Sequence, residues 1–364
     1  MRAKPTVLPD LVIKNGLQLW LKGENAMPTM SSRRAVIGGA AALGSLTIFS
    51  RSGLAADFKF RQFHNQALSS PLHKRLVEMW AAVKTETNGR VDTEVFAENA
   101  GIQGSDPAAL KMVISGELDF FTLMGGILGQ SVPVAEVQQV PFAFKTASDA
   151  HAAADGALGV YLREEMAAKG LHGFPVMAFD NGMRQTSTTS RPILVPKDFD
   201  GIRIRLPAGQ MFTDTFKALG AEPVTINVNQ IYGGLKDGKV DAQENPLAVT
   251  EVFKLYEVQK YMAMTNHMWS GFNLMANLAL WRKLPADIQA VIERNATKYV
   301  RLQREEQGAF NGGLRKTLTE RGMVFNDVDQ ELFRARMAPV YAVWKEKLGA
   351  KCWSLLEGHV GKLG

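Results

Sequence analysis

Two arginines and an asparagine stand where the chain's pattern turns from strand to turn. Arg184 lies in Asn181-Gly182-Met183-Arg184-Gln185-Thr186, Arg205 in the apolar run Ile202–Leu206, and Asn245 in Gln243-Glu244-Asn245-Pro246. A guanidinium presents its donors as a rigid fork that matches a carboxylate bidentately, which a lysine ammonium does not. Arg203 and Arg205 share one face of their strand, opposite its apolar residues. Pro246 biases Asn245 towards an extended backbone and marks a turn. Ligands of open α/β sheets sit beyond the carboxyl ends of the strands. Two guanidiniums there would clamp a carboxylate. Spacing alone favours a plainer reading, in which each arginine makes an ordinary surface salt bridge.

Other chemistries find less support. Gly233-Gly234-Leu235-Lys236-Asp237-Gly238-Lys239 matches most of a phosphate-binding loop, but Val240 stands where Ser or Thr should hold the metal. Its Gly-Lys also precedes a strand rather than opening a helix, so a helix cap and turn are expected. The six histidines (64, 73, 151, 172, 267 and 359) include no pair at metal-ligand spacing. There is no G-x-S-x-G and no dinucleotide fingerprint. Cys352 is the single cysteine, which rules out an intramolecular disulfide framework or a cysteine metal cluster. It reads as a packed thiol, because no activating partner is identifiable.

These side chains need elements to hold them. Phe58–Phe63 alternates with period two and reads as a strand, ending at His64-Asn65. Ser70-Pro71 open a helix as N-cap and first residue, and Leu72, Leu76, Met79, Trp80 and Val83 keep helical spacing. Strands are expected at Val91–Phe96, Leu118–Leu123, His172–Phe179, Ile202–Leu206, Val224–Asn227 and Val240–Gln243. Helices are expected at Pro107–Ser115, Ala147–Ala168, Phe212–Leu219 and Gln230–Lys236. The alternation argues for an α/β architecture with mostly parallel sheets. From Pro285 to about Arg321 apolar residues recur at helical spacing without a proline. Such a helix is roughly 50 Å long at 1.5 Å per residue and should bridge two lobes, unless Gly308, Gly312 and Gly313 divide it.

The chain has 364 residues and a formal net charge of +6, which invites a nucleic-acid or membrane-surface reading. The position of the charge argues otherwise. Residues 1–56 hold seven Lys/Arg and two acids, a net of +5; the remainder holds 35 and 34, a net of +1. Arg33-Arg34 precede the uncharged run Ala35–Ser50, and Gly53-Leu54-Ala55-Ala56 follow. A basic start, an apolar centre and a small-residue exit make a secretory signal peptide. The run is shorter than the roughly 20 apolar residues of a membrane span. Ser32-Arg33-Arg34-Ala35-Val36-Ile37 is similar to the twin-arginine export signal, with an ordinary secretory signal as the alternative. Met27 or Met30 is an alternative start, and cleavage is expected near Ala56.

Several segments, in order and spacing, carry a family resemblance. They include Thr87-Asn88-Gly89-Arg90-Val91, Gly116-Glu117-Leu118-Asp119-Phe120, Asn181-Gly182-Met183-Arg184-Gln185-Thr186, Gly201-Ile202-Arg203-Ile204-Arg205-Leu206-Pro207, Asp241-Ala242-Gln243-Glu244-Asn245-Pro246 and Tyr256-Glu257-Val258-Gln259-Lys260. From about Phe58 to Gly349 the chain resembles the solute-binding proteins of TRAP transporters, the DctP family. The resemblance implies an α/β, two-lobed periplasmic solute-binding fold with a long helix spanning both lobes. It implies lobe I at 57–181 and 271–310 and lobe II at 182–270 and 311–364, after an extension and signal peptide at 1–56.

By the same resemblance Arg205, rather than Arg203, pairs with the ligand carboxylate, Arg184 is a second carboxylate or polar contact, and Asn245 bonds the ligand from the other lobe. His64 and Asn65 sit where the first strand meets the cleft, and Trp269 forms an apolar wall. Tyr256–His267 is similar to the sialic-acid-binding branch, but that branch has an acid at Met124 and an aromatic at Val228, so the resemblance argues against sialic acid. His64-Asn65 points to a hydroxylated ligand, a sugar acid or hydroxy acid, with C4-dicarboxylates, 2-oxo acids and aromatic acids as alternatives. The implied function is a periplasmic receptor that binds a small organic anion and delivers it to the small and large membrane subunits of the transporter. It works as a monomer, without cofactor, metal, catalysis or nucleic acid. Rival readings are a ligand sensor on the same fold and an exported carboxylate-processing enzyme.

Overall fold

The computed structural model describes residues 56–103 and 105–363. The leader expected over residues 1–56 lies, but for Ala56, outside the described residues. Among the described residues no helix is long and apolar enough to cross a membrane.

Eleven strands are described: β1 (Phe58–His64), β2 (Val91–Phe96), β3 (Phe120–Met124), β4 (Leu171–Met183), β5 (Gln185–Thr188), β6 (Arg203–Leu206), β7 (Glu222–Thr225), β8 (Ala242–Asn245), β9 (Tyr261–Met264), β10 (Trp269–Asn277) and β11 (Val324–Asp327). They form one sheet of order β2-β1-β3-β10-β4 and a second of order β11-β9-β5-β8-β6-β7. The period-two pattern of β1 turns Phe60 and Gln62 inward, and Phe60 meets the Phe120 ring edge-on at 5.3 Å. Ser70 caps helix Pro71–Glu86 by accepting from His73 N, and that helix buries Leu72, Leu76, Met79, Trp80 and Val83.

Both sheets are mixed rather than mostly parallel. β1, β2 and β3 are parallel, but β10 runs antiparallel between β3 and β4. In the second sheet β5 runs antiparallel to both β8 and β9. The reason is that the chain crosses between sheets on paired strands. β4 continues through Arg184 directly into β5, and β9 returns through residues 265–268 into β10. The two crossings run side by side in opposite directions, joined by Arg184 N donating to Met268 O at 2.8 Å. An inserted antiparallel strand in each sheet follows from that topology.

Several local expectations change, among them the strand expected at Val224–Asn227, which lies at Glu222–Thr225. The helix expected over Ala147–Ala168 is two, Ala147–Asp155 and Ala157–Ala168, because Gly156 breaks it with an extended backbone. The strand expected at Val240–Gln243 is displaced to Ala242–Asn245, so Asn245 ends the strand rather than following it. The sequence predicts no strand at β5, β9, β10 or β11; β10 is buried along its whole length and so shows no alternation.

The long helix is continuous from Ala286 to Glu320. Its glycines do not divide it: a Cβ at Gly308, Gly312 or Gly313 would meet nothing within 4 Å. Its buried face changes character along its length. Ile288, Ile292, Ala296 and Val300 pack as a stripe, and then Gln303, Gln307 and Asn311 take over. Gln303 brackets Asp180 in the last turn-in of β4, accepting from its N–H at 2.8 Å and donating to its carbonyl at 2.7 Å. Asn311 donates to Asn181 O at 3.0 Å and accepts from Ala248 N at 3.1 Å. The helix thus satisfies backbone at the crossing that sheet pairing leaves open. Gly182 is needed there, with φ +110° and a would-be Cβ only 2.4 Å from Asn311 Nδ2. The C-terminal helical segment Ala338–Val360, broken at Gly349 by φ +80°, lies across both halves, with Tyr341 donating to Pro141 O and Trp344 Nε1 to Asp214 Oδ2.

Candidate functional site

A cleft between the two sheets, about 300 Å³ of empty space and partly open to solvent, collects most of the residues singled out from sequence. Asn65 and Met124 reach it from the carboxyl ends of β1 and β3, Arg205 from β6, and Asn245 from the end of β8, so Asn245 stands on the same sheet as Arg205 and not on the other lobe as expected, because β6 and β8 are paired neighbours. Arg184 lies at the crossing between β4 and β5.

The two arginines have different situations. Arg184 is engaged mainly by the protein. Its Nε and Nη2 bind Glu244 Oε2 at 2.5 Å and Oε1 at 2.8 Å, Nη2 also reaches Asn245 Oδ1 at 3.1 Å, and Nη1 reaches Ser270 Oγ at 3.2 Å. Its guanidinium lies 5.0 Å over the Phe212 ring. Glu244 is also bonded by His267 Nε2 at 3.0 Å, and His267 Nδ1 meets Thr265 Oγ1 at 2.8 Å. Burial acts to raise the pKa of Glu244, but Arg184 and His267 hold it below the ordinary carboxylate value. Burial lowers that of His267, against the attraction of Glu244. Arg184 and Glu244 meet because β5 pairs with β8 in a register that sets Thr186 opposite Glu244 and Gln185 opposite Asn245.

Arg205 is 2% exposed, and its Nε donates to Ile226 O at 2.7 Å. Among the described residues no carboxylate lies within ion-pair distance of it. Burial pushes its pKa down to about 9, with Arg184 acting the same way and Glu244 and Asp106 opposing. Arg203, on the same strand, pairs bidentately with Asp241 at 2.9 and 2.7 Å near the surface. The salt-bridge reading of the arginines therefore describes Arg203, and Arg205 faces the cleft.

Asp106 was missed from sequence. It lines the cleft, fully buried, accepting from Asn65 Nδ2 at 2.8 Å on one oxygen and Asn99 Nδ2 at 2.6 Å on the other. Burial raises its pKa, against those two donors and the charge of Arg205. Each oxygen keeps a lone pair for a further donor. Gln66 also reaches the cleft, donating to Asn65 Oδ1 at 2.9 Å. Met124 and Val228 line it with Phe272, so both positions that argued against sialic acid face the site.

Two expected residues do not line the cleft. His64 is buried behind it, accepting from Gln66 N at Nδ1 and meeting His73 Nδ1 at 3.0 Å, and burial brings its pKa down to about 3. It positions the Asn65-Gln66 turn. Trp269 lies on the far side of β10. Its indole folds back over Gly271, where a Cβ would be 2.0 Å from the ring, and its Nε1 donates to Asp180 Oδ1 at 2.8 Å. It lines a separate small apolar cavity with Phe144 and Leu158. The Gly238-Lys239 segment forms a turn after helix Ile231–Lys236.

Comparison with known proteins shows the family and the fold. Residues 63–347 match the DctP family, described as bacterial extracellular solute-binding protein, family 7. A solute-binding protein of Roseobacter denitrificans is 30% identical over 290 residues, covering 79% of this chain and 86% of that one. The sugar acid binding protein DctPAm from Advenella mimigardefordensis, solved with galactonate, superimposes with a TM-score of 0.79 at 26% identity, covering 85% of this chain and 100% of that one. A TRAP periplasmic solute-binding protein from Chromohalobacter salexigens, solved with D-glucuronate, gives 0.78 at 26% identity, covering 84% and 100%.

Proposed function

The chain belongs to the bacterial extracellular solute-binding proteins of family 7, the DctP family, and from that membership we propose how this TRAP solute-binding protein chooses its ligand. Proteins of this family are periplasmic receptors, not enzymes. The ligand is a hydroxylated monocarboxylic acid of the sugar-acid class. Its carboxylate meets Arg205, Asn245 and the edge of Arg184 bond it from the same side, and its hydroxyls meet Asp106 and Asn65 across the cleft.

The observation that supports this reading is the charge around the cleft. Arg184 is neutralised by Glu244 at hydrogen-bond distance, which leaves Arg205 as the cation for a ligand and Asp106 as an opposing acid. One carboxylate is welcome at such a site. A second would approach Asp106 and be repelled, whereas a hydroxyl would donate to it. The neighbours that bind glucuronate and galactonate carry ligands of that kind.

Binding closes two lobes, 57–181 with 271–310 and 182–270 with 311–364, and contacts from both sides favour the closed state. The closed monomer then delivers the acid to the small and large membrane subunits of its transporter. Export would use the basic leader at 1–56.

A thermal-shift screen of the purified protein, followed by calorimetry, tests the ligand class. D-glucuronate, D-galactonate and D-erythronate should raise the melting temperature, since a ligand of the native state alone stabilises by mass action. Succinate, 2-oxoglutarate and benzoate should raise it less. Tighter binding of succinate than of any sugar acid would overturn the charge argument.

A further inference from the structure

Helix Gln210–Ala218 starts after Gly209, which has no side chain to cap it. Its first N–H groups are satisfied from elsewhere. Gln210 N donates to Glu136 Oε1 at 3.3 Å and Met211 N to Glu136 Oε2 at 2.9 Å. Glu136 belongs to the turn Pro133–Gln139, which packs with β10 of the first sheet, whereas helix Gln210–Ala218 connects β6 to β7 of the second. The missing cap is therefore supplied from the side of the first sheet to a helix of the second. Gly129 makes room for it, because a Cβ there would lie 2.3 Å from Glu136 Cγ. The same two sides meet again beside it. Gln130 Nε2 donates to Ala208 O at 3.2 Å, and Phe212, which underlies Arg184, presses so close to Gly126 that a Cβ would be 2.6 Å from its ring.

We infer that Glu136 is a latch that forms as the cleft closes, capping a helix of the second lobe from the first, and that closure is thereby coupled to proton uptake. The inference rests on the reading of the protein as a closing two-lobed receptor. When the lobes part, the carboxyl returns to water and the helix loses its cap. In this structure, taken as the closed state, burial pushes the pKa of Glu136 up to about 7, against the donors Met211 N and Gln210 N. Two charged groups face it: Asp214 of the same helix raises it further, and Lys347 of the C-terminal helix opposes. Those two lie 3.6 Å apart, and Trp344 Nε1 and Gln210 Nε2 also donate to Asp214. The turn Gly129-Gln130 adds no charge.

The closed state binds the proton more tightly than the open one, whose carboxyl has the ordinary value of 4.5. Closure is therefore favoured below pH 7 and weakened as pH rises from about 5 through 7. With these two values, linkage gives a roughly 30-fold rise in the closed-to-open ratio between pH 8 and pH 5.5.

The test places fluorophores on Lys111→Cys and Lys236→Cys, one exposed position on each lobe, the native Cys352 being buried. Energy transfer reports closure from pH 5.5 to 8, with and without D-glucuronate or D-galactonate. The labelled protein should close more readily as pH falls. Glu136→Gln, which keeps an acceptor but does not titrate, should flatten that response. Glu136→Ala should lower the closed fraction at every pH. A Glu136→Gln protein with the unmodified pH response, or a Glu136→Ala protein that closes as readily, would overturn the latch. A label distance that no pH and neither acid changes in any variant would overturn the closing-receptor reading itself, and the latch with it.

Discussion

Replacing Arg205 by Met would remove the cleft's available guanidinium and keep a long stem of similar reach. In the free protein that group is buried, holds only Ile226 O through Nε, and has its pKa pushed down to about 9 by burial. Against an ordinary value of 12.5 this is a cost on the order of several kcal/mol at about 1.4 kcal/mol per unit. A carboxylate taken by the remaining donors relieves it. Two charge-assisted bonds at about 1.5–3 kcal/mol each give about 3–6 kcal/mol. Arg205→Met should therefore weaken sugar-acid binding by roughly 10²- to 10⁴-fold. The ligand-free protein should keep or gain thermal stability, because an uncompensated buried charge is gone. Arg205→Lys restores a point charge without the fork and should recover part of the loss. The pH response follows with its sign. A bound carboxylate raises the pKa of Arg205 above its free value of about 9, so the contribution is complete below pH 9 and fades as pH climbs through the bound value. Calorimetry with D-glucuronate at pH 7 and pH 10, beside thermal denaturation without ligand, reads each quantity. An Arg205→Met protein whose affinity stays within tenfold would refute the assignment.

Asp106→Asn should weaken sugar-acid binding about tenfold or more while improving succinate relative to it, since repulsion of a second carboxylate is removed; competition calorimetry with both ligands checks the ratio. Trp269→Phe should cost stability by about 1.5–3 kcal/mol, because the buried Asp180 carboxylate loses its indole donor, yet leave ligand affinity within about threefold. Urea unfolding and calorimetry separate the two, and a large affinity loss at preserved stability would return the indole to the cleft.

Much of the architecture was legible because its rules are local. The alternation of Phe58–His64, the cap Ser70-Pro71 and the apolar spacing beyond Pro285 depend on neighbours within a few residues, and each formed the element expected. Local rules failed where burial is uniform or a glycine intervenes. β10, inside its sheet, has no polar face to betray its period, and Gly156 split a helix whose flanks both looked helical. Strand ends made Arg205 and Asn245 candidates, the family resemblance and not spacing singled them out, and both line the cleft.

The roles of the side chains within the site were another matter. Sequence placed Arg184 and Glu244 in two motifs 60 residues apart, and only the β5–β8 register made them one buried pair. That pairing turned a candidate ligand contact into a largely internal one and left Arg205 as the charge on offer. No motif in the sequence singles out Asp106 or Glu136, and Trp269 read as a cleft wall only by family resemblance. Their actual partners, Asn65 and Asn99, Asp180 and the N-terminus of helix Gln210–Ala218, are distant in the chain. A hydrogen bond or a shifted pKa depends on which groups share a few ångströms and how much water remains between them. Periodicity and capping determined the elements of this protein, and the family resemblance its kind. Which charges cancel and which stay available were decided when the two sheets came together and excluded water.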